Sequence, residues 1–121
     1  VQYRLPIKIF ILNNQYMGMV RQWQELLHEK NYSESYTAAL PDFVKLAEAY
    51  GCVGIQATKP DELDEKINEM ININEPVIFD CRVDPTENCF PMIPSGKPHN
   101  QMLLGPEDEK EEVSDEGKTL V

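Results

Sequence analysis

Three short β-branched runs constrain the fold of this chain more than any other feature. PIKIFIL (Pro6–Leu12), the run Cys52–Ala57 and PVIFDC (Pro76–Cys81) are separated by stretches with helical patterning. The first is almost continuously apolar, as a strand covered on both faces should be, and it reads as a central parallel strand. Strand, helix, helix, strand, helix, strand is the grammar of a doubly wound α/β sheet with crossover connections. Three strands are too few to cover the faces and edges of such a sheet. Because the first residue is Val1 rather than methionine, the expectation is a C-terminal piece of a longer chain whose other strands precede it.

The connecting segments support this reading. Met17–Glu29 contains no helix breaker after Gly18, and Val20, Trp23, Leu26 and Leu27 recur at helical spacing, which predicts a helix with one apolar face. Asn31–Leu40 is rich in Ser, Thr, Tyr and Asn and reads as a loop. Pro41 and Asp42 then open a helix with Phe43, Leu46, Ala47 and Tyr50 on one face, ended by Gly51 in the left-handed conformation. Thr58 is the expected cap of a third helix, with Asp61 as its capping-box partner and Leu63, Ile67, Met70 and Ile71 facing inward. After the third strand, Pro85, Pro91, Pro94, Gly96 and Pro98 predict an irregular segment. The expected division is a domain over residues 1–105 and an acidic, disordered tail over 106–121.

Charge and cysteine usage narrow the functional classes. The chain of 121 residues carries a formal net charge of −10, from 21 acidic against 11 basic residues. Such a balance repels phosphate backbones and anionic lipid, so nucleic acid and membrane surfaces are not expected partners. Half of that charge lies between Glu107 and Lys118, a run that reads as solvated. Cys52, Cys81 and Cys89 have no metal-binding spacing, and their odd number without a secretory leader points to reduced thiols and a cytoplasmic setting. No run is long and apolar enough to span a bilayer. His28 and His99 have no partners by spacing and read as surface or locally hydrogen-bonded residues.

The candidate site lies where the first strand stops, in FILNNQYMGMVRQWQ (Phe10–Gln24). Ligands of open α/β sheets bind beyond the carboxyl ends of the strands, and Asn13-Asn14 stands at such an end. An asparagine oxygen is a hard neutral ligand suited to Mg²⁺, provided that a carboxylate and a phosphate complete the shell. The plainer alternative is a pair of turn or capping residues. Met17, Met19, Val20 and Trp23 likewise fit either a helix core or the wall of an apolar pocket.

The runs LPIKIFILNNQYMGMVRQWQELLHEKNYS, LPDFVKLAEAYG and PMIPSG together resemble the C-terminal domain of the acetohydroxyacid synthase (acetolactate synthase) catalytic subunits, which are thiamin-diphosphate enzymes. The likeness extends to about Gly105. Asn-Asn alone is shared by thiamin-diphosphate enzymes in general, whereas NNxxxGMVxQWQ separates this family from its decarboxylase and oxidase cousins.

The resemblance implies that Asn14 binds Mg²⁺ through its side chain and Tyr16 through its main-chain carbonyl, and that the ion anchors the cofactor diphosphate. It places Met17, Gly18 and Met19 along the cofactor pocket, with Met19 and Val20 near the reacting substrate. Trp23 would shape the acceptor site and its access channel, where sulfonylurea and imidazolinone herbicides bind, and Ser95 would mark a second position of that pocket. The implied reaction condenses pyruvate with a second 2-ketoacid, pyruvate or 2-ketobutyrate, with loss of CO₂, in branched-chain amino-acid biosynthesis. No catalytic acid or base is assigned to this chain. The Gly-Asp-Gly element with the Mg²⁺ carboxylate, the glutamate that activates the cofactor, and the domain that holds FAD are expected before Val1, so the chain alone should be inactive. The expected assembly is a homodimer of complete subunits, with room for a regulatory small subunit. Two other readings stay open here: another thiamin-diphosphate carboligase or decarboxylase, and a noncatalytic α/β interaction module.

Overall fold

A computed structural model of the chain describes residues 1–106. The acidic run from Glu107 onward, expected to be a disordered tail, lies outside the described residues. In chain order the elements are β1 (Lys8–Asn13), α1 (Gly18–Leu27), α2 (Phe43–Ala49), β2 (Val53–Ala57), a 3-10 turn (Pro60–Glu62), α3 (Leu63–Asn72) and β3 (Val77–Arg82). They fall into two compact units: one of Val1–Tyr16 with Thr37–Thr86, the other of Met17–Tyr36 with the segment from Glu87 onward.

The first unit holds a three-stranded parallel sheet in the order β1-β3-β2, with Lys8 opposite Val77 and Asn13 opposite Arg82 in one pair, and Val53 opposite Val77 in the other. The α/β class and the parallel sheet agree with the expectation from sequence. Among the described residues β1 pairs on one side only, and Ile7, Ile9 and Leu12 are 51, 44 and 69% exposed. The central strand is β3, in which Val77 and Phe79 are fully buried and Cys81 nearly so. Phe10 reaches this core through its ring, edge-on to Phe79 at 4.6 Å. Burial, with the negative charge of Asp80 alongside, pushes the Cys81 thiol above its ordinary pKa and keeps it protonated at neutral pH.

Helix α3 covers the core with Met70, and Leu63 and Ile67 pack against it, but Ile71, expected on the same face, is 61% exposed. Its start is secured one residue later than expected. The carboxylate of Glu62, not Asp61, reaches back to accept from the N–H groups of Thr58 and Lys59. Those two backbone bonds hold the Glu62 carboxyl below the usual carboxylate range.

Asp42 caps α2 as expected, accepting from the N–H groups of Val44 and Lys45 at 3.1 Å. Of the expected face, Ala47 is fully buried whereas Tyr50 is 66% exposed. Gly51 ends this stretch with φ +72°, where a side chain would be strained. Gly54 of β2 lets α2 approach, because a Cβ there would meet the Val44 backbone at 2.8 Å.

In the second unit, Met92 and Leu103 pair as an antiparallel bridge that closes an irregular loop. Within it, Lys97 N–H donates to the Pro94 carbonyl at 3.1 Å, and Gly96 at φ +80° occupies the third position of that turn. Ser95 is the turn's second residue. The Phe90–Pro91 peptide is cis. No helix among the described residues is long and apolar enough to cross a membrane.

Candidate functional site

Two consecutive asparagine turns end β1. Asn13 is buried, and its Oδ1 accepts from Gln15 N–H at 3.1 Å while its carbonyl accepts from Val83 N–H at 3.2 Å. Asn14 Oδ1 accepts from Tyr16 N–H, also at 3.1 Å. Between them Gln15 adopts φ +61°, an unusual conformation for a residue with a Cβ. Thr37 holds that conformation, donating its N–H at 2.9 Å and its hydroxyl at 2.6 Å to the Gln15 carbonyl. The turn reading of both asparagines is therefore correct as far as it goes. It does not exhaust Asn14, whose carbonyl oxygen has a second lone pair after accepting one bond.

That oxygen is the kind of donor an octahedral Mg²⁺ takes, and so is the Tyr16 main-chain carbonyl. Among the described residues no group of three or more His, Cys, Asp or Glu side chains converges as a metal cluster. Asn14 and Tyr16 thus offer two oxygens of the type such a shell takes, with no carboxylate cluster beside them among the described residues.

Beneath the turn lies a network that the sequence reading missed. Asp80 of β3, 1% exposed, accepts from Asn13 Nδ2 on one oxygen at 2.7 Å. Its other oxygen accepts from Gln56 Nε2 at 2.8 Å and lies 3.4 Å from Arg82 Nε. One carboxylate thereby joins the carboxyl ends of all three strands. A sequence signal existed: an aspartate set between Phe79 and Cys81 in an apolar strand must find partners when buried.

In the second unit, Met17 occupies the cap position of α1, and its side chain makes no capping bond. Gly18 opens the helix. The helix has the expected apolar face, with Leu26 and Leu27 half-buried, but that face is not the most buried one. Arg21 and Gln22 are the buried residues, whereas Met17, Met19, Val20 and Trp23 are 54, 50, 40 and 38% exposed. The polar pair is buried by specific partners. Arg21 makes an ion pair with Glu25 at 2.6 Å, donates to Asn88 Oδ1 and lies over the Tyr32 ring. Gln22 is 1% exposed; its amide donates to the Cys89 carbonyl at 3.0 Å and accepts from Cys89 N–H at 2.7 Å. This two-way clamp ties α1 to the segment that leads into Ser95. Trp23, beside Gln22 in sequence, instead faces an open groove of about 580 Å³ with Val20, Gln24, Leu27 and His28. His99 is exposed.

The clamp carries a prediction. Gln22→Leu removes the two bonds to Cys89, worth about 0.5–1.5 kcal/mol each, and a weaker one to Met92 Sδ, and should loosen the segment 89–103. A loss of about 1–2 kcal/mol raises the open population by roughly 5–30-fold, and proteolytic cleavage within that segment should accelerate by the same factor. Unchanged cleavage would show that the segment is held without Gln22.

Comparison with known proteins identifies the family of this fold. Residues 1–81 match the family model described as thiamine pyrophosphate enzyme, C-terminal TPP binding domain. The acetolactate synthase large subunit of Cyanidium caldarium is 50% identical over 103 residues, 84% of this chain and 18% of the relative. The acetolactate synthase isozyme 3 large subunit of Escherichia coli K12 is 45% identical over 107 residues, 86% of this chain and 19% of the relative. The chain thus spans about a fifth of the length of these curated relatives. Among solved structures, the Rhodococcus jostii RHA1 thiamine diphosphate-dependent 4-hydroxybenzoylformate decarboxylase superposes with a TM-score of 0.61 at 26% identity, over 69% of this chain and 16% of that one. A parallel α/β unit whose first strand ends in the asparagine turn, matched over 81 residues by the family model, belongs to the thiamine pyrophosphate enzymes as a C-terminal TPP-binding domain.

Proposed function

We propose that residues 1–105 are the C-terminal part of the thiamin-diphosphate-binding domain of an acetolactate synthase catalytic subunit. The observation that carries the reading is the 50% identity to an acetolactate synthase large subunit across 84% of the chain. In the complete subunit, Asn14 Oδ1 and the Tyr16 carbonyl are two oxygens of the Mg²⁺ shell. Met17, Gly18 and Met19 line the cofactor pocket. The α1 N-terminus supports this role, because first-turn N–H groups that the side chain of the cap residue Met17 does not bond suit an anionic diphosphate.

Bound thiamin diphosphate supplies the carbon chemistry that releases CO₂ from pyruvate and joins the remainder to a second 2-ketoacid. The residues of this chain bind, orient and exclude water. Met19 and Val20 border the reacting substrate. Trp23 and Ser95 shape the acceptor pocket, and the exposed indole over an open groove supports that role for Trp23. FAD, the Mg²⁺ carboxylate and the cofactor-activating glutamate belong to parts of the subunit outside this chain. The working form is a homodimer in the cytoplasm, able to associate with a regulatory small subunit.

The open edge and exposed apolar side chains of β1 support a chain that needs further strands of its own subunit. The purified complete subunit, given thiamin diphosphate, Mg²⁺ and FAD, should form acetolactate from pyruvate, and the isolated 121-residue chain should self-associate and form none. Acetaldehyde without acetolactate from the complete subunit would instead support a decarboxylase, the activity named for the structural neighbour's class. Acetolactate from the isolated chain would contradict the divided site.

A further inference from the structure

We propose that Asp80 is a positioning residue for the metal site: it acts through Asn13 to set the turn that presents Asn14. This inference rests on the reading of Asn14 as a Mg²⁺ ligand.

The argument begins with what a buried carboxylate can accept. An ionised Asp is an acceptor only, so the end of the Asn13 amide that faces it must be the NH₂. The 2.7 Å bond from Asn13 Nδ2 to Asp80 Oδ1 therefore fixes the amide orientation and turns Asn13 Oδ1 toward the chain beyond β1. There it accepts Gln15 N–H at 3.1 Å. This bond and the two from Thr37 hold Gln15 at φ +61°, and the same turn brings Tyr16 N–H to Asn14 Oδ1. A chain of donors and acceptors thus runs from β3 to the proposed ligand.

Asp80 is itself held on its other oxygen by Gln56 at 2.8 Å, with Arg82 at 3.4 Å, and it is 1% exposed. Its carboxylate has little freedom to follow a moving partner. An apolar residue would pack the centre of β3 without the desolvation cost of a charge, so a buried aspartate directly after Val77–Phe79 fits a requirement for orientation. Residues that orient a metal ligand at one remove typically change metal affinity by about 10–100-fold when replaced.

The test uses the complete subunit, saturated with thiamin diphosphate, and reads the half-saturating Mg²⁺ concentration together with a thermal melt. Asp80→Asn keeps the shape but can present either an oxygen or an NH₂ to Asn13, so the orientation is no longer dictated. Half-saturating Mg²⁺ should rise about tenfold. Asn13→Ala should raise it equally, and the double variant no further, because both changes break the same link. Gln56→Leu, which leaves the Asp80–Asn13 bond and the Arg82 contact in place, should raise it clearly less than Asp80→Asn does. Should Asp80→Asn fail to fold, Asn13→Ala carries the test, since it leaves Asp80 with Gln56 and Arg82.

A lowered melt with unchanged Mg²⁺ dependence in Asp80→Asn and Asn13→Ala would overturn the proposal. So would an equal rise in Gln56→Leu, which would assign the effect to the sheet as a whole. If Asn14→Ala shifts the Mg²⁺ requirement while Asp80→Asn and Asn13→Ala do not, the metal reading stands and this proposal falls. If none of the three shifts it, both fall.

Discussion

Asn14→Ala in the complete subunit should raise the Mg²⁺ concentration needed for activity by more than tenfold and loosen cofactor retention on gel filtration. The size follows from comparison: residues behind a metal ligand are worth about 10–100-fold in affinity, and a direct ligand should be worth at least as much. The structural cost is small. Alanine removes one side-chain bond, from Tyr16 N–H at 3.1 Å, whose net worth is about 0.5–1.5 kcal/mol. Gln15 stays tied through Thr37 and Asn13, so the turn should persist and the melt should move only slightly. The two roles of Asn14 therefore predict different readouts. A turn residue would give a small loss of stability with a normal Mg²⁺ requirement. A ligand gives a large change in Mg²⁺ requirement with a nearly normal melt, and a Mg²⁺ titration paired with a melt decides between them.

The strands and helices were legible because their causes are local. Period, caps and breakers sit within a few residues of one another, as at Asp42 and Gly51. What stayed hidden had remote causes. The apolar face of α1 is readable from Val20, Trp23, Leu26 and Leu27, but the burial of Arg21 and Gln22 depends on partners such as Asn88 and Cys89, 67 residues away. Helical spacing carries no information about such partners. The same holds for β1, whose apolar pattern reports that both faces can be covered but not by what. At the site, the position of Asn13-Asn14 at a strand end was readable from strand grammar. The role of Asn13 was not, because it depends on Asp80, also 67 residues away and reached through parallel pairing. The resemblance to a family supplied ligand roles that geometry alone left open between turn and metal.

Trp23→Leu is the sharper probe of the acceptor pocket, because its pocket and core readings predict opposite patterns. A buried tryptophan cut to a small side chain costs about 3–5 kcal/mol and would lower every activity together. Trp23 is 38% exposed and lines an open groove, so its truncation should cost much less than that in stability. What it removes is apolar surface at the place proposed for the second ketoacid. 2-Ketobutyrate differs from pyruvate by one methylene, and a methylene in an apolar pocket is worth about 1–3 kcal/mol, or roughly 10–200-fold in selectivity. With both ketoacids in competition, the ratio of acetohydroxybutyrate to acetolactate should fall by about tenfold or more, while turnover on pyruvate alone changes less. Inhibition by sulfonylureas should weaken in parallel, since the flat indole that would stack on their rings is gone. The Gln22 clamp should be untouched, because its bonds to Cys89 do not involve the indole. Proteolysis of segment 89–103 at the wild-type rate would therefore confirm that the variant altered the pocket and not the packing beside it. An unchanged product ratio in a protein with a lowered melt would return Trp23 to a purely structural role and leave ketoacid selectivity to other residues.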